Sequence, residues 1–472
     1  MDIEQEGLKP LSPTGQWTSS SFLSLFVIGV LESQVPIDDT QIMPLIPNVF
    51  LPINTRFSSI MVMDEKGVKQ WKKVEVRLKD HINVPIFTPD RSTEYYDERL
   101  DAYLSKLATE QLPQSRPPWE IHIIKYPTSH AAGNIIFKLH HSLGDGFSLM
   151  GALLSCLQRV DNPSLPLTFP SSQLHLQKDG QNSGIGKSVV KLLSSAYYTV
   201  FGFWSSVIKS NLVEDDKSPI RSGNHGVESL PVSIVTMSFS LDDIKQIKAK
   251  LSATVNDVIT GTIFLGTRLY MEEVSQGSGK ADTTALVLLN TRMFRGYKSV
   301  QEMLKPDAEF PWGNQFAFLI VPVPKLSDAH GVKNPVQFVW NAQTIIQQQR
   351  SSLAVYLTAK YLQLVHKFRG PEVASSYMYS TLRNSSIGIS NVVGPIEQMA
   401  LANHPIKGLY FGVAGSPQSS CMGVVSYMGK LRVALQVEKD FIDPLKFKSH
   451  VENAFDIIFK AALGTITPSS AN

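Results

Sequence analysis

The sequence of 472 residues contains little cysteine, little charge and no strong excess of basic residues. Its two cysteines, Cys156 and Cys421, lie far apart, so no disulfide framework is expected. Charged residues make up only 18% of the chain, and 44 Lys and Arg stand against 41 Asp and Glu, which argues against a nucleic-acid partner. Residues 1–6 are acidic where a secretory signal would be basic. We therefore expect synthesis and residence on the cytosolic side.

The rest of the composition is that of a globular protein with a large core. Hydrophobic residues make up 43% of the chain, and strand-like and helix-like patterns alternate along it, so we expect an α/β (mixed α+β) fold. A first lobe is predicted over residues 1–167 and a second over residues 230–472. Residues 168–229 are richer in Pro, Ser, Gly, Asn and charge, and are predicted to cross between the lobes.

The most informative segment is His-His-Ser-Leu-Gly-Asp-Gly at residues 140–146. Residues 134–139 before it are mostly apolar strand formers, and residues 147–157 after it have helical spacing, which predicts a strand-to-helix corner. Adjacent strand residues point to opposite faces, so one of His140 and His141 is expected to be catalytic and the other structural. A neutral imidazole can take a proton from an alcohol, which suits an alcohol attacking a thioester.

Asp145 follows the second histidine by four residues, in a tight turn that Gly144 and Gly146 permit. Its carboxylate could fix the tautomer of a ring or could hold the loop, and we favour the holding role. Two other interpretations of the corner are a chance meeting in a turn and a zinc site. Adjacent strand histidines diverge and no further Cys/His cluster lies nearby in the sequence, so no metal is expected.

The pattern H-H-x-x-x-D-G resembles the active-site signature of the coenzyme A-dependent acyltransferase superfamily. Further segments, in order over nearly the whole chain, resemble motifs of the wax ester synthase/diacylglycerol acyltransferase family and, with residues 95–97, its plant branch: Leu11-Ser12-Pro13, Arg56-Phe57-Ser58-Ser59, Pro118-Trp119-Glu120, Asn256-Asp257-Val258, Gly313-Asn314-Gln315 and Ser390-Asn391-Val392-Val393-Gly394-Pro395. Phenolic acyltransferases of the superfamily are less similar, because their C-terminal D-F-G-W-G motif is missing here.

This resemblance implies two similar lobes of the chloramphenicol acetyltransferase type with an active-site tunnel between them. It implies that a long acyl group passes from acyl-coenzyme A to a fatty alcohol or to diacylglycerol, with no acyl-enzyme and no cofactor beyond the co-substrate. The candidate catalytic residues are His140, His141, Asp145 and Gly146. In that picture His141 is the general base, Asp145 shapes the site and Gly146 keeps the pocket entrance clear.

Two substrate-binding candidates lie in the second lobe. The resemblance makes Asn256 a candidate for substrate or oxyanion contacts, although Thr254 to Asp257 also has the pattern of a helix cap, S/T-x-x-D before an apolar run. Arg292 follows a strand-like run and is predicted either to be structural or to meet a phosphate of coenzyme A. An acceptor of phenolic or other polar type, and a catalytically silent lipid-binding scaffold, are the alternative functions.

Residues 192–208 form an uncharged stretch between Lys191 and Lys209. Seventeen residues are marginal for crossing a bilayer, and small polar residues share one helical face opposite an aromatic one. We favour a helix lying in the membrane interface over a single span or an ordinary buried helix. The resemblance places the protein at the endoplasmic reticulum membrane with its site facing the cytosol, the plasma membrane being the alternative.

Overall fold

The computed structural model describes residues 8–65, 67–168, 213–290, 300–303, 305, 312–326, 334–351 and 354–464. Its strands are β1 (Leu8–Pro10), β2 (Phe26–Ser33), β3 (Ser59–Met63), β4 (Lys69–Lys73), β5 (Ile82–Asn83), β6 (Trp119–Ile124), β7 (Gly133–His140), β8 (Gln158–Arg159), β9 (Val232–Ser240), β10 (Thr284–Asn290), β11 (Phe316–Pro322), β12 (Ile387–Val392), β13 (Met399–Leu401), β14 (His404–Ala414), β15 (Ser420–Tyr427) and β16 (Lys430–Glu438).

Helices of the described residues separate or follow these strands. They are α1 (Pro13–Trp17), α2 (Asp39–Ile42), α3 (Leu51–Ile53), α4 (Thr93–Thr109), α5 (Gly146–Ser155), α6 (Leu241–Leu251), α7 (Val255–Val274), α8 (Val300–Met303), α9 (Gln337–Ser351), α10 (Ala354–Arg369), α11 (Pro371–Arg383) and α12 (Pro444–Leu463). A π-helical turn covers Ile46–Phe50, and a 3₁₀ turn covers Thr55–Ser58. The predicted mixed α/β class is confirmed.

The first lobe is built on a seven-stranded sheet with the order β5-β6-β7-β2-β14-β13-β8. The hairpin predicted around residues 127–134 is present, since β6 and β7 pair antiparallel on either side of that loop. Strand β7 also pairs with β2, which brings Phe26 opposite His140. Strand β7 lies inside the sheet and is buried along its whole length, so its end is a rigid support for the corner that follows.

Strands β13 and β14 complete this first sheet, although they come from the C-terminal part of the chain. β14 pairs with β2 from Ala414 opposite Phe26 to Ile406 opposite Ser33. The lobe boundaries predicted at residues 167 and 230 assign β13 and β14 to the second lobe, whereas both strands belong to the sheet of the first lobe. This exchange of strands ties the two lobes together through main-chain hydrogen bonds.

The second lobe is built on a six-stranded sheet with the order β11-β10-β12-β15-β16-β9, in which β10, β12 and β15 are parallel. Helix α7 lies in its core, and two of its glycines let neighbouring backbones approach. A Cβ on Gly261 would lie 2.7 Å from Cα of Val339, and one on Gly266 would lie 2.6 Å from Cα of Val451. The close approach packs α9 and α12 directly against α7.

Helix starts predicted from capping patterns are confirmed. Ser240 caps α6, Thr254 forms a reciprocal capping box with Asp257 at the start of α7, and Asp443 caps α12 ahead of Pro444. The apolar stripe predicted for the last helix faces inward, since Val451, Ala454, Phe455 and Ile458 are buried.

No helix within the described residues is long and apolar enough to cross a bilayer. The segment predicted to lie at a membrane, residues 192–208, is outside the described residues, as is most of the predicted crossover at residues 168–229. The described end of that crossover, residues 213–229, packs on the second lobe, where the guanidinium of Arg221 donates to the carbonyl oxygen of Arg383 at 3.0 Å.

Candidate active site

The predicted strand-to-helix corner is present: β7 ends at His140, and α5 begins at Gly146. Asp145 is the N-cap of α5, and its Oδ1 accepts a hydrogen bond from the amide of Ser148 at 3.0 Å. An aspartate in this position satisfies a free amide of the first helical turn and places negative charge at the positive end of the helix dipole. The carboxylate therefore fixes the direction in which α5 leaves the sheet.

Asp145 also binds the segment before β11, which comes from the second lobe. Its Oδ2 accepts from the amide of Gln315 at 2.8 Å, and Ser148 Oγ donates to the carbonyl of Gly313 at 3.1 Å. The indole of Trp312 donates to the carbonyl of Leu143 at 2.8 Å. Residues 312–315 are thus fastened to the corner at several points, in agreement with the holding role favoured for the aspartate.

Arg56 supports the same turn from the 3₁₀ segment Thr55–Ser58. Its guanidinium donates to the carbonyl of Leu143 at 3.1 Å. Burial lowers the pKa of Arg56 to about 10, while the nearby charge of Asp145 works in the opposite direction. Arg56 remains a cation at neutral pH and balances the buried carboxylate.

His140 is held on both sides of its ring. Its Nδ1 accepts from the backbone amide of Ser142 at 3.0 Å, so the ring proton of the neutral form is on Nε2, which lies 3.3 Å from Ser24 Oγ. The ring also meets Phe26 edge-on, with the two centroids 5.1 Å apart. Burial, with the neighbouring His141 and Lys69 adding to it, lowers the pKa of His140 to about 3. This neutral, fully bonded imidazole has the contacts of a structural residue.

His141 lies on the other face and meets Asn314 in a two-point contact. The Nδ2 of Asn314 donates to the carbonyl oxygen of His141 at 2.8 Å, and its Oδ1 lies 3.0 Å from Nδ1 of the same histidine. A carbonyl oxygen only accepts, which fixes the amide orientation, so Nδ1 must be the donor to Oδ1. The neutral ring of His141 is therefore the Nδ1–H tautomer, and the lone pair is on Nε2.

The surroundings of His141 keep the ring neutral. Its side chain is mostly buried, and the Phe316 ring packs edge-on with centroids 5.3 Å apart. Burial lowers the pKa of His141 below 6.5, although Asp145 and the bond to Asn314 oppose that shift. At neutral pH the ring has an unprotonated Nε2, which is the form required of a general base.

Gly146 and Asn256 both meet the end of β12. A Cβ added at Gly146 would lie 3.3 Å from Cγ2 of Val392, so any larger residue here would press on the second lobe. Asn256, in the first turn of α7, accepts a hydrogen bond at 3.2 Å from Nδ2 of Asn391, which precedes Val392. The structure thus places the Asn256 side chain against the 390–395 motif, next to the valine that lies beside Gly146 of the corner. Thr254, not Asn256, caps the helix.

Arg292, predicted either to be structural or to meet a phosphate of coenzyme A, lies outside the described residues. Sequence reasoning did not assign roles to Asn314, Trp312 or Arg56. The signal for two of them was in the sequence, because they belong to the Arg-Phe-Ser-Ser and Gly-Asn-Gln segments singled out as family-like motifs. The motifs did not show which residue each side chain contacts, because Asn314 lies 173 residues from His141 in the sequence.

Comparison with known proteins decides the family. The protein-family model for the wax ester synthase/diacylglycerol acyltransferase catalytic domain matches residues 67–259, and the family model for the WS/DGAT C-terminal domain matches residues 312–459. The chain belongs to the wax ester synthase/diacylglycerol acyltransferase family. Two relatives from Arabidopsis thaliana illustrate the likeness. Wax ester synthase/diacylglycerol acyltransferase 4 is 29% identical, with 93% of this chain and 88% of the relative covered. Wax ester synthase/diacylglycerol acyltransferase 11 is 26% identical, with 98% of this chain and 96% of the relative covered.

Solved structures confirm the predicted two-lobed architecture. The wax ester synthase/diacylglycerol acyltransferase from Marinobacter aquaeolei VT8 aligns with a TM-score of 0.60 at 16% identity and covers 97% of this chain and 100% of that one. The starter condensation domain of rhizomide synthetase RzmA aligns with a TM-score of 0.52 at 10% identity, covering 96% and 94%. At such identities the likeness concerns the fold.

Proposed function

We propose that this family member is an O-acyltransferase that moves a long acyl group from acyl-coenzyme A to a fatty alcohol, giving a wax ester, and to diacylglycerol, giving triacylglycerol. The observation that carries the proposal is the pair formed by His141 and Asn314, which leaves an unprotonated Nε2 in a buried site. The names of the Arabidopsis and Marinobacter relatives support the substrate classes.

In the proposed reaction both substrates are bound together. His141 Nε2 takes the hydroxyl proton of the acceptor as its oxygen bonds to the thioester carbonyl carbon, and the carbon–sulfur bond then breaks. The proton passes from the imidazolium to the departing coenzyme A thiolate, which returns the histidine to its neutral state. No covalent acyl-enzyme forms, so we expect ester to appear without a burst phase.

The remaining partner roles are also proposals. Arg292 is proposed to meet a phosphate of coenzyme A, and Asn256, bonded to Asn391, is proposed to contact substrate. Residues 192–208 are proposed to hold the protein at the cytosolic face of the endoplasmic reticulum membrane, either lying in the interface or as a single span, with the plasma membrane as the alternative site. The Arabidopsis relatives support placing the chain in the plant branch.

The experiment is an assay of the purified protein with palmitoyl-coenzyme A and three acceptors: hexadecanol, dioleoylglycerol and a phenolic alcohol. We expect ester from the first two acceptors and a loss of roughly 10²–10⁴-fold in His141→Gln, because a positioned general base contributes about that much. The matched control is His130→Gln, at an exposed histidine in the β6–β7 loop, which should retain wild-type rates. Preference for the phenolic alcohol, or full activity in His141→Gln, would contradict the proposal.

A further inference from the structure

Helix α10 (Ala354–Arg369) exposes apolar side chains where a water-facing helix would be polar. Tyr356 is 60% exposed, Leu364 54% and Phe368 73%. Together with Leu357, Lys360 and Lys367 they recur three or four residues apart and therefore share one face of the helix. The residues Tyr356, Leu357, Lys360, Leu364, Lys367 and Phe368 are called the α10 face below.

The charge on this face has one sign. Residues 354–369 contain no Asp or Glu, and they include Lys360, Lys367 and Arg369. The lysines lie close to the aromatic rings, with Nζ of Lys360 5.6 Å from the Tyr356 centroid and Nζ of Lys367 5.7 Å from that of Phe368. A long lysine stem covers apolar surface while its ammonium reaches a polar headgroup.

The exposed apolar surface continues onto the next elements. Val373, near the start of α11, is 44% exposed and Phe22 is 49% exposed. Ser21 Oγ donates to the Glu372 carboxylate at 3.0 Å, which places Phe22 beside the α10–α11 turn. Glu372 places an acidic group at this border.

The opposite side of α10 leads towards the catalytic corner. Leu362 and Val365 pack in an apolar cluster that also contains Phe316 and Phe318 of β11. The Phe316 ring is the one that meets His141, with centroids 5.3 Å apart. The apolar cluster beneath α10 thus includes the ring that packs on His141.

We propose that the α10 face docks the enzyme on an anionic lipid bilayer. This proposal rests on the proposed function, because an enzyme docked there would take its hydrophobic acceptor from the bilayer. Aromatic and leucine side chains accompanied by lysines are typical of helices that lie in a membrane interface, with the cations attracted to acidic lipids. Lysine is depleted at protein–protein interfaces, which makes a protein partner the poorer fit.

The test is cosedimentation of the full-length protein with vesicles of phosphatidylcholine alone and of phosphatidylcholine with phosphatidylserine. We expect stronger binding to the anionic vesicles. Leu364→Ser with Phe368→Ser should weaken binding to both kinds at least about tenfold, and Lys360→Glu with Lys367→Glu should weaken mainly the anionic case. The matched control is Ile86→Ser with Leu445→Ser, which removes exposed apolar side chains elsewhere, 91% and 67% exposed, and should bind normally.

Each variant is also assayed with detergent-dispersed hexadecanol, where docking is not needed. Lost vesicle binding with retained ester formation supports the proposal. Unchanged vesicle binding in both double variants, or a wild type that binds neither vesicle, overturns it. A wild-type dimer that dissociates in Leu364→Ser with Phe368→Ser would assign the face to a second copy and also overturn it. A wild type that docks but forms no ester with any acceptor refutes the proposed function and leaves the docking surface standing.

Discussion

At the scale of the residue, the two adjacent histidines differ in which nitrogen has the proton. The amide of Ser142 makes Nδ1 of His140 an acceptor, whereas Asn314 makes Nδ1 of His141 a donor. Both rings are kept neutral by burial, which lowers both pKa values. Only the second tautomer has its Nε2 lone pair available to a substrate, because the Nε2 of His140 holds the proton and faces Ser24.

Asn314 is predicted to set the behaviour of His141 through its hydrogen bond. Asn314→Leu should lower kcat roughly tenfold or more with little change in KM for acyl-coenzyme A, since a bond of about 1.4 kcal/mol corresponds to a factor of ten. Asn314→Asp keeps the acceptor and adds a charge that favours imidazolium, so the pKa of His141 should rise. Because the neutral ring is the proposed base, lowering the pH should remove activity at a higher pH in Asn314→Asp than in the wild type.

The pH dependence of kcat in the three proteins checks this prediction. Asn403→Asp adds the same charge at an exposed site and should leave the profile unchanged. If Asn314→Asp left the acid limb where it is in the wild type, or if Asn314→Leu retained full kcat, Asn314 would have no influence on the base.

At the scale of the element, the corner depends on a helix cap that has a second task. Asp145 caps α5 through Oδ1 and holds Gln315 through Oδ2, so one carboxylate orients the helix after the corner and joins it to the other lobe. Ser148 repeats this arrangement, because its amide binds the cap and its hydroxyl binds Gly313. Local helix geometry and the contact between lobes are therefore coupled.

Asp145→Ala is predicted to lower the free energy of unfolding by roughly 2–4 kcal/mol. The loss of a cap costs about 1 kcal/mol, and the partly buried Gln315 amide left without an acceptor costs about 1–3 kcal/mol more. Activity should fall too, because residues 312–315 lose their anchor. Asp443→Ala is the matched control: it removes the cap of α12, whose acceptor receives the Lys446 amide at 3.0 Å, and should cost about 1 kcal/mol with normal activity.

Chemical denaturation gives the free energies, and the ester assay gives the activities. Equal destabilisation by Asp145→Ala and Asp443→Ala would show that the bond to Gln315 contributes nothing. Normal activity in Asp145→Ala would show that the corner does not need its anchor.

Elements with strong local patterns were predictable from the sequence. The S-x-x-D cap before α6, the T-x-x-D cap before α7 and the Asp-Pro start of α12 each specify a helix start through neighbouring residues. The β6–β7 hairpin and the corner after it follow from an apolar run, turn residues and a change of period. The contact between Asn314 and His141 was not predictable in this way, because it joins distant segments and depends on how the lobes pack.

At the scale of the whole molecule, the two lobes are joined in ways that local periodicity does not record. β14 enters the first sheet from the C-terminal part of the chain. Arg432 of β16 donates from Nη2 to Glu32 of β2 at 2.7 Å and to Thr236 at 2.9 Å, and its guanidinium lies 4.8 Å from the Tyr410 centroid. A buried ion pair of this kind needs both partners, so it favours one relative placement of the sheets.

That placement is what brings Asn314 to His141 and Val392 to Gly146, so the Nδ1–H tautomer of His141 is a property of the assembled lobes. The predicted tunnel between the lobes remains a prediction. The central claim is narrower: in the folded enzyme His141 is neutral, protonated on Nδ1 and unprotonated on Nε2.

The most direct measurement of that claim is nitrogen-15 NMR of histidine-labelled enzyme at pH 7, with the two rings assigned by comparing His140→Gln and His141→Gln. The account predicts a protonated Nδ1 and an unprotonated Nε2 for His141, and the reverse for His140. A proton on Nε2 of His141 would contradict it, because that ring could not accept the hydroxyl hydrogen of the acceptor.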